Sequence, residues 1–131
     1  MNVEGSKLTR DGKRVYDLEN RLVAFAVRIM EVVEALPKSR AGNHIAGQLL
    51  RCGTSPAPNC GEAQAAESRD DFIHKLKVCL KELRETRVWL VMIQARDLIA
   101  AKRLEAIISE CVQLISIFAT SVTTAKRNKL K

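Results

Sequence analysis

The sequence predicts an all-α domain, an up-down-up-down bundle of four helices, and three observations support this fold class. Apolar residues recur at alternating steps of four and three in four segments, which is typical of helices with one buried face. Hydrophobic residues make up 47% of the 131 residues but aromatic residues only 4%, so the interior has to be aliphatic. No segment alternates apolar and polar residues long enough to predict a strand. The whole chain, residues 1–131, is expected to form one domain.

The first helix is predicted from Tyr16 to Leu36. Pro37 ends it, because proline lacks the amide hydrogen that a helix needs and restricts the residue before it. Ser39 is a suitable N-cap for the second helix. The predicted apolar stripe of the first helix consists of Leu18, Leu22, Phe25, Ile29, Val32 and Leu36.

The second helix contains the stretch CGTSPAPNCGEAQ, residues 52–64, with two prolines and two glycines. The apolar spacing nevertheless continues through the prolines, so the helical register is expected to survive them. We predict a kink of helix 2 near Pro56 and Pro58, and the alternative is a break at Gly53 followed by a fifth, short helix. The predicted apolar stripe consists of Ile45, Leu49, Cys52, Pro56, Cys60 and Ala63.

The third helix is expected to begin at a cap formed by Ser68 or Asp70. Arg87 lies within its apolar stripe, and a desolvated guanidinium there would need a carboxylate, for which Glu62 is the first candidate. The predicted stripe of the third helix consists of Leu76, Leu80, Leu83, Arg87 and Leu90. That of the fourth helix consists of Leu104, Ile108, Cys111, Ile115, Phe118 and Val122.

Two of the predicted helices are apolar over a wider arc than a lone bundle can bury. Self-association would cover the surplus, and scattered surface hydrophobic residues are the alternative. The predicted interface residues are Val23, Val27 and Met30 on the first helix and Val78, Trp89 and Ile93 on the third.

The net charge of +7 is concentrated at the two ends of the chain. Four bases and two acids precede residue 15, and four bases with no acid follow residue 125, so the basic tails carry +6 of the total. Affinity for RNA or another polyanion is therefore expected from the tails. The basic stripe on the third helix is either a solvated charged face or an edge that contacts phosphates. The candidate nucleic-acid contacts are Lys7, Arg10, Lys13, Arg14, Lys77, Lys81, Arg84, Lys126, Arg127, Lys129 and Lys131.

The remaining charged residues of the second and third helices are predicted to pair with one another. Carboxylates three residues apart could serve acid–base or metal chemistry, but the bases nearby favour a structural role. The predicted structural polar cluster consists of Arg51, Asn59, Glu62, Glu82, Glu85 and Arg87.

No catalytic, cofactor-binding or metal-binding motif stands out. Cys52, Cys60, Cys79 and Cys111 lack ligand spacing and are expected to be buried, reduced thiols. Neither histidine follows a glutamate by three residues, as di-iron bundles require. No apolar run approaches the roughly 18 uncharged residues of a membrane span. The amino terminus lacks the apolar region of a secretion signal. These observations predict a cytoplasmic protein that is not an enzyme and binds neither metal, cofactor nor membrane.

Residues 48–90 carry motifs that resemble a known family. The motifs are LLRCGTS, then Asn59, the pair Glu62-Ala63, DFIHKL, the pair Lys81-Glu82, and ETRVWL. They are similar to those of the four-helix-bundle proteins encoded in intervening sequences of bacterial 23S rRNA genes. The resemblance implies a bundle that assembles into a homopentameric ring, with no known enzymatic activity. A related bundle, the accessory protein of diversity-generating retroelements, is similar in fold, ring and basic charge and works with a reverse transcriptase and RNA.

Two functional hypotheses follow. The first is a homo-oligomer that associates with RNA or another nucleic acid through its basic termini, which in an even-numbered bundle emerge at one end; a ring of five would gather +30 there. The alternative is a protein-interaction scaffold with no nucleic-acid role. The chain departs from the family pattern at Pro56, Pro58 and Gly61, and the lack of a basic residue at position 61 argues against RNA contact there.

Overall fold

The computed structural model describes the backbone of residues 12–129 and the side chains of residues 17–129. Within this part of the chain every regular element is a helix. The helices are α1 (Gly12–Ala35), α2 (Arg40–Thr54), α3 (Pro56–Gln64), α4 (Arg69–Ala95) and α5 (Ala101–Lys129). Because α2 and α3 form one bent rod, the predicted four-helix bundle is confirmed.

The proline stretch bends the second rod and does not end it. α2 and α3 meet at Ser55 with a bend of 20°. Local bonds support the bend: the Thr54 hydroxyl donates to the Leu50 carbonyl at 2.6 Å, and the Asn59 side-chain amide donates to the Ser55 carbonyl and hydroxyl. All six predicted stripe residues of this rod are buried, so the register does continue through the prolines.

The four rods occupy the corners of a square. α1 lies beside the α2–α3 rod and beside α5, and α4 lies beside the same two neighbours. α1 and α4 therefore stand at diagonal corners. α5 runs antiparallel to α4, and the ion pair of Lys129 with Asp70 shows its C-terminal turn beside the first turn of α4.

The apolar stripes of α4 and α5 differ from the prediction in one respect. On α4 the fully buried positions are Leu76, Cys79, Leu83, Thr86, Leu90 and Ile93, so the deepest seven-residue repeat runs in steps of three then four, and the predicted Leu80 is buried beside it. On α5 the same shift makes Ile107 and Leu114 core residues, in place of the predicted Ile108 and Ile115, which are partly buried. This shift corrects two predictions, since Arg87 becomes exposed and Ile93 becomes fully buried.

Helix α5 also corrects the expectation that no apolar run reaches the length of a membrane span. By length and composition it could cross a membrane, with a mean hydropathy of 1.6 over 18 residues and Glu110 as the only charged residue between positions 106 and 125. Core helices of bundles meet the same criterion. In this fold, one side of α5 packs into the core, and Glu110 is bonded to Arg21 of α1.

Candidate functional site: the α2–α4 polar cluster

The motif residues of α2 and α4 converge on one polar cluster. Arg51, in the last turn of α2, donates from Nη1 to Glu82 Oε2 at 3.1 Å and from Nη2 to Glu85 Oε2. Its Nη2 also donates to Gln48 Oε1 at 3.2 Å. Glu82 and Glu85 can share one guanidinium because residues three apart lie on the same face of a helix.

Trp89 extends this cluster along α4. Its indole Nε1 donates to Glu85 Oε2 at 3.1 Å, and its ring meets the edge of His44 with the ring centroids 5.8 Å apart. The half-buried indole therefore has its polar atom bonded within its own chain. We call Arg51, Glu82, Glu85, Trp89 and His44 the α2–α4 polar cluster.

The burial of the charges indicates what the cluster does. The Glu82 side chain is only 12% exposed, whereas Arg51 is 51% exposed. A carboxylate that is removed from water needs a partner of opposite charge. Arg51 provides that partner for Glu82, whose negative charge would otherwise be buried without compensation. The ion pairs of the cluster thus join α2 to α4, and we call such a pairing between two helices a clamp. Among the described residues no group of three or more His, Cys, Asp or Glu could hold a metal ion.

The pair of Arg51 with Glu82 should contribute more to stability than the pair of Arg51 with Glu85. We expect Arg51→Ala and Glu82→Ala to show a coupling free energy of about 1 kcal/mol or more in urea unfolding, because Glu82 is largely desolvated. The pair Arg51→Ala and Glu85→Ala should couple less, because Glu85 is 31% exposed and exposed pairs contribute little. Equal coupling free energies for the two pairs would contradict the inference that the burial of Glu82 strengthens its interaction with Arg51.

Three members of the predicted polar cluster lie elsewhere. Asn59 bonds to Ser55 at the bend, Arg87 is exposed on α4, and Glu62 accepts a hydrogen bond from Lys75 Nζ at 2.7 Å. The pKa of Lys75 is raised by this bond and by the charge of Glu62. The prediction allowed Arg87 to pair with Glu62 within one chain or between subunits. Within one chain Glu62 pairs with Lys75 instead, and Arg87 is turned out of the core.

Sequence reasoning missed a second clamp, which joins α1 to α5. Arg21 donates from Nε to Glu110 Oε2 at 2.7 Å and from Nη2 to Glu110 Oε1 at 2.8 Å, a bidentate pair. Nη2 also donates to Gln113 Oε1. The hydrogen bond to Glu110 raises the pKa of Arg21. No local signal could reveal this pair, since its members are 89 residues apart in the chain.

All four cysteines are buried and free, as predicted. Burial raises the pKa of Cys60 to about 11 and that of Cys79 and Cys111 to about 12, and it also raises the pKa of Cys52. A thiol is reactive as the thiolate, so these cysteines are unsuited to nucleophilic chemistry.

The predicted nucleic-acid contacts divide into three groups. Lys7, Arg10 and Lys131, and the side chains of Lys13 and Arg14, lie outside the described residues. Lys126, Arg127 and Lys129 are exposed on the last turns of α5, which continues as a helix to Lys129, where a tail was expected. Lys77, Lys81 and Arg84 are exposed on α4.

The end of the bundle that holds the last turn of α5 is not uniformly basic. Asp70, in the first turn of α4, pairs with Lys129, and Glu67 is exposed in the α3–α4 connection just before it. These two carboxylates therefore partly offset the positive charge that the basic tails were expected to place at this end. The face of α4 that carries Lys77 and Lys81 is less affected, because Glu82 and Glu85 turn towards α2.

The predicted interface residues also separate. Val23, Val27 and Met30 are exposed, whereas Val78 and Trp89 are partly buried. Ile93 is fully buried, so it cannot take part in an interface. Exposed apolar residues that the prediction did not include are Leu50, Val88, Val91, Met92 and Val112.

Comparison with known proteins gives a family match, a similar solved structure and one negative result. The sequence profile of the family described as 23S rRNA-intervening sequence protein matches residues 16–120. Among solved structures, a protein of unknown function from the S23 ribosomal protein family of Bacteroides thetaiotaomicron VPI-5482 is similar, with 30% sequence identity and a TM-score of 0.76. The similarity covers 83% of this chain and 97% of that one. No curated protein matches the sequence.

Proposed function

This chain belongs to the family of 23S rRNA-intervening sequence proteins, and on that premise we propose that it is a non-enzymatic, homo-oligomeric protein that associates with RNA in the cytoplasm. A pentameric ring is the assembly that the family resemblance suggests. The α2–α4 polar cluster supports the absence of catalysis, since its carboxylates are committed to Arg51 and Trp89.

One observation carries the proposal of RNA association. The first half of α4 and the last turns of α5 both carry exposed bases, and these two neighbouring helices are antiparallel and joined at this end by the pair of Lys129 with Asp70. We call Lys77, Lys81, Lys126 and Arg127 the basic surface. All four side chains are exposed, so they can reach phosphates without any rearrangement of the core.

The basic surface suits backbone recognition of a nucleic acid. The only tryptophan, Trp89, is held in the α2–α4 polar cluster, and sequence-tolerant stacking platforms need exposed aromatic rings. Affinity should therefore be electrostatic, weakly specific and strongly dependent on salt. Several subunits binding one RNA would add avidity without any new kind of interaction.

The test compares two double variants with the same loss of charge on the same helix. Lys126→Ala/Arg127→Ala should weaken binding of a 23S rRNA fragment in gel shifts. It should also make the dependence on salt less steep, by about 0.9 in the slope for each phosphate that the variant no longer neutralises. Lys102→Ala/Arg103→Ala removes two exposed bases at the opposite end of α5 and should leave binding close to that of the unmodified protein.

Equal effects of the two double variants would contradict a localised RNA surface. No RNA binding even at low salt would favour the alternative function, a protein-interaction scaffold. The exposed apolar residues are the observation that supports this alternative.

A further inference from the structure

A cleft opens between α1 and α5 at the end of the bundle where α1 ends and α5 begins. Its volume is about 160 Å³. Three charged side chains line it, those of Arg28, Glu31 and Arg103. The rest of its lining is apolar and consists of Val32, Ala35, Ile99, Leu104 and Ile107. We call it the α1–α5 cleft. It combines a hydrophobic wall with charged groups, as sites for small molecules do.

The clamp of Arg21 with Glu110 shows which residues of the two helices face each other. From this clamp towards the cleft, residue numbers rise along α1 and fall along α5, so the two helices are antiparallel. Arg28 follows Arg21 by seven residues, and Arg103 precedes Glu110 by seven. Each therefore lies about two turns further along the same face of its helix. At the level where this spacing would allow another clamp, both helices carry an arginine, and like charges border the cleft.

The charges at the cleft have no partners within the described residues. Arg28, Glu31 and Arg103 make neither an ion pair nor a hydrogen bond there. Glu31 follows Arg28 by three residues on α1, so its carboxylate can offset one of the two positive charges. Two arginines and one glutamate leave a formal charge of +1 at the cleft. A ligand with a single negative charge would neutralise it.

Charge and volume together indicate the class of ligand. A guanidinium group binds carboxylates and phosphates equally well by geometry, with two parallel hydrogen bonds. A phosphate monoester, however, carries a charge of about −1.5 to −2 at pH 7, and the excess would face Glu31. A carboxylate carries a single charge. A cavity of about 150 Å³ can hold benzene, so the apolar wall has room for a body of that size.

We propose that the α1–α5 cleft binds a small carboxylic acid with an apolar body. The carboxylate lies between Arg28 and Arg103, and the apolar body packs on the buried side chains of Ile99, Leu104 and Ile107. This site is independent of the proposed RNA association, because the cleft lies at the opposite end of α5 from the bases of the basic surface.

Benzoate is a suitable probe, and its neutral analogue benzamide is the matched control. In ligand-observed NMR titrations of the full chain, benzoate should bind at least about tenfold more tightly than benzamide, which lacks the charge that strengthens hydrogen bonds to guanidinium groups. Phenyl phosphate should bind more weakly than benzoate. Glu31→Gln should reduce or reverse this preference for benzoate over phenyl phosphate, because it removes the repulsion of the second negative charge.

Three variants locate the site. Arg28→Gln and Arg103→Gln should each weaken binding of benzoate by about tenfold and leave binding of benzamide unchanged. Both positions reach solvent, so the fold should persist. Lys102→Gln removes an exposed base that neighbours Arg103 but does not line the cleft. It should bind benzoate like the unmodified protein.

Four results would overturn the proposal. No binding of benzoate at millimolar concentrations would show that the cleft is not a site for carboxylates. Equal affinity for benzoate and benzamide would show that the arginines do not select the anion. Equal effects of Lys102→Gln and Arg103→Gln would indicate general attraction by positive charge. Tighter binding of phenyl phosphate than of benzoate to the unmodified protein would contradict the choice of a ligand with one negative charge.

Discussion

Replacing Gly42 with alanine should destabilise the fold by about 1–3 kcal/mol, the usual cost of overpacking, although alanine favours helices more than glycine does. Gly42 lies in the first turn of α2, where its amide donates to Ser39 Oγ at 3.0 Å. A Cβ added there would lie 1.9 Å from the carbonyl oxygen of Pro37. That oxygen belongs to the backbone of the α1–α2 turn, so the clash is relieved only if the turn opens.

Gly47 provides a matched control on the same helix. Nothing lies within 4 Å of a Cβ added at this exposed position, so Gly47→Ala should stabilise the protein by about 0.4–1 kcal/mol. Urea unfolding of both variants at one protein concentration measures the difference. A Gly42→Ala protein as stable as Gly47→Ala would show that the turn is not as tight as described.

Raising the pH from 8 to 10 should reduce the free energy of unfolding by on the order of 1 kcal/mol for each of the buried thiols of Cys60, Cys79 and Cys111. The ordinary pKa of the thiol, 9.0, applies to the unfolded chain, whereas folding raises it to about 11 for Cys60 and to about 12 for Cys79 and Cys111. Above pH 9 the unfolded chain loses protons that the folded chain keeps. The contribution is therefore complete below pH 9 and is lost as the pH rises towards the folded pKa values.

Serine at two of these positions isolates the effect. Cys79 and Cys111 each donate from Sγ to a backbone carbonyl, of Pro56 and Leu83 respectively, and a serine hydroxyl can make the same bond without titrating in this range. The double variant Cys79→Ser/Cys111→Ser should lose less stability between pH 8 and pH 10 than the unmodified protein. Titrating lysines affect both proteins alike and cancel in this comparison. An unchanged pH dependence would contradict the assigned cause.

The sequence by itself determined the four rods and most of their buried faces. One buried face per helix produces an apolar repeat that is local in the chain, so it can be read without the structure. The clearest case is the second rod, whose predicted stripe stays buried through Pro56 and Pro58. The cluster of Arg51 with Glu82 and Glu85 was also accessible, because the two carboxylates lie at helical spacing.

Only the tertiary structure decided which residues of the seven-residue repeat lie deepest in the core on α4 and α5. Ile107 and Ile108 are both apolar, so the pattern allows either residue to face the core, and on α4 both Cys79 and Leu80 are apolar and buried. Packing against the neighbouring helices makes Ile107 and Cys79 the deeper residue of each pair, and that choice buries Ile93 and turns Arg87 towards solvent. Contacts between residues that are distant in the chain likewise could not be predicted from the sequence. Arg21 meets Glu110 only because folding brings two separate helices together.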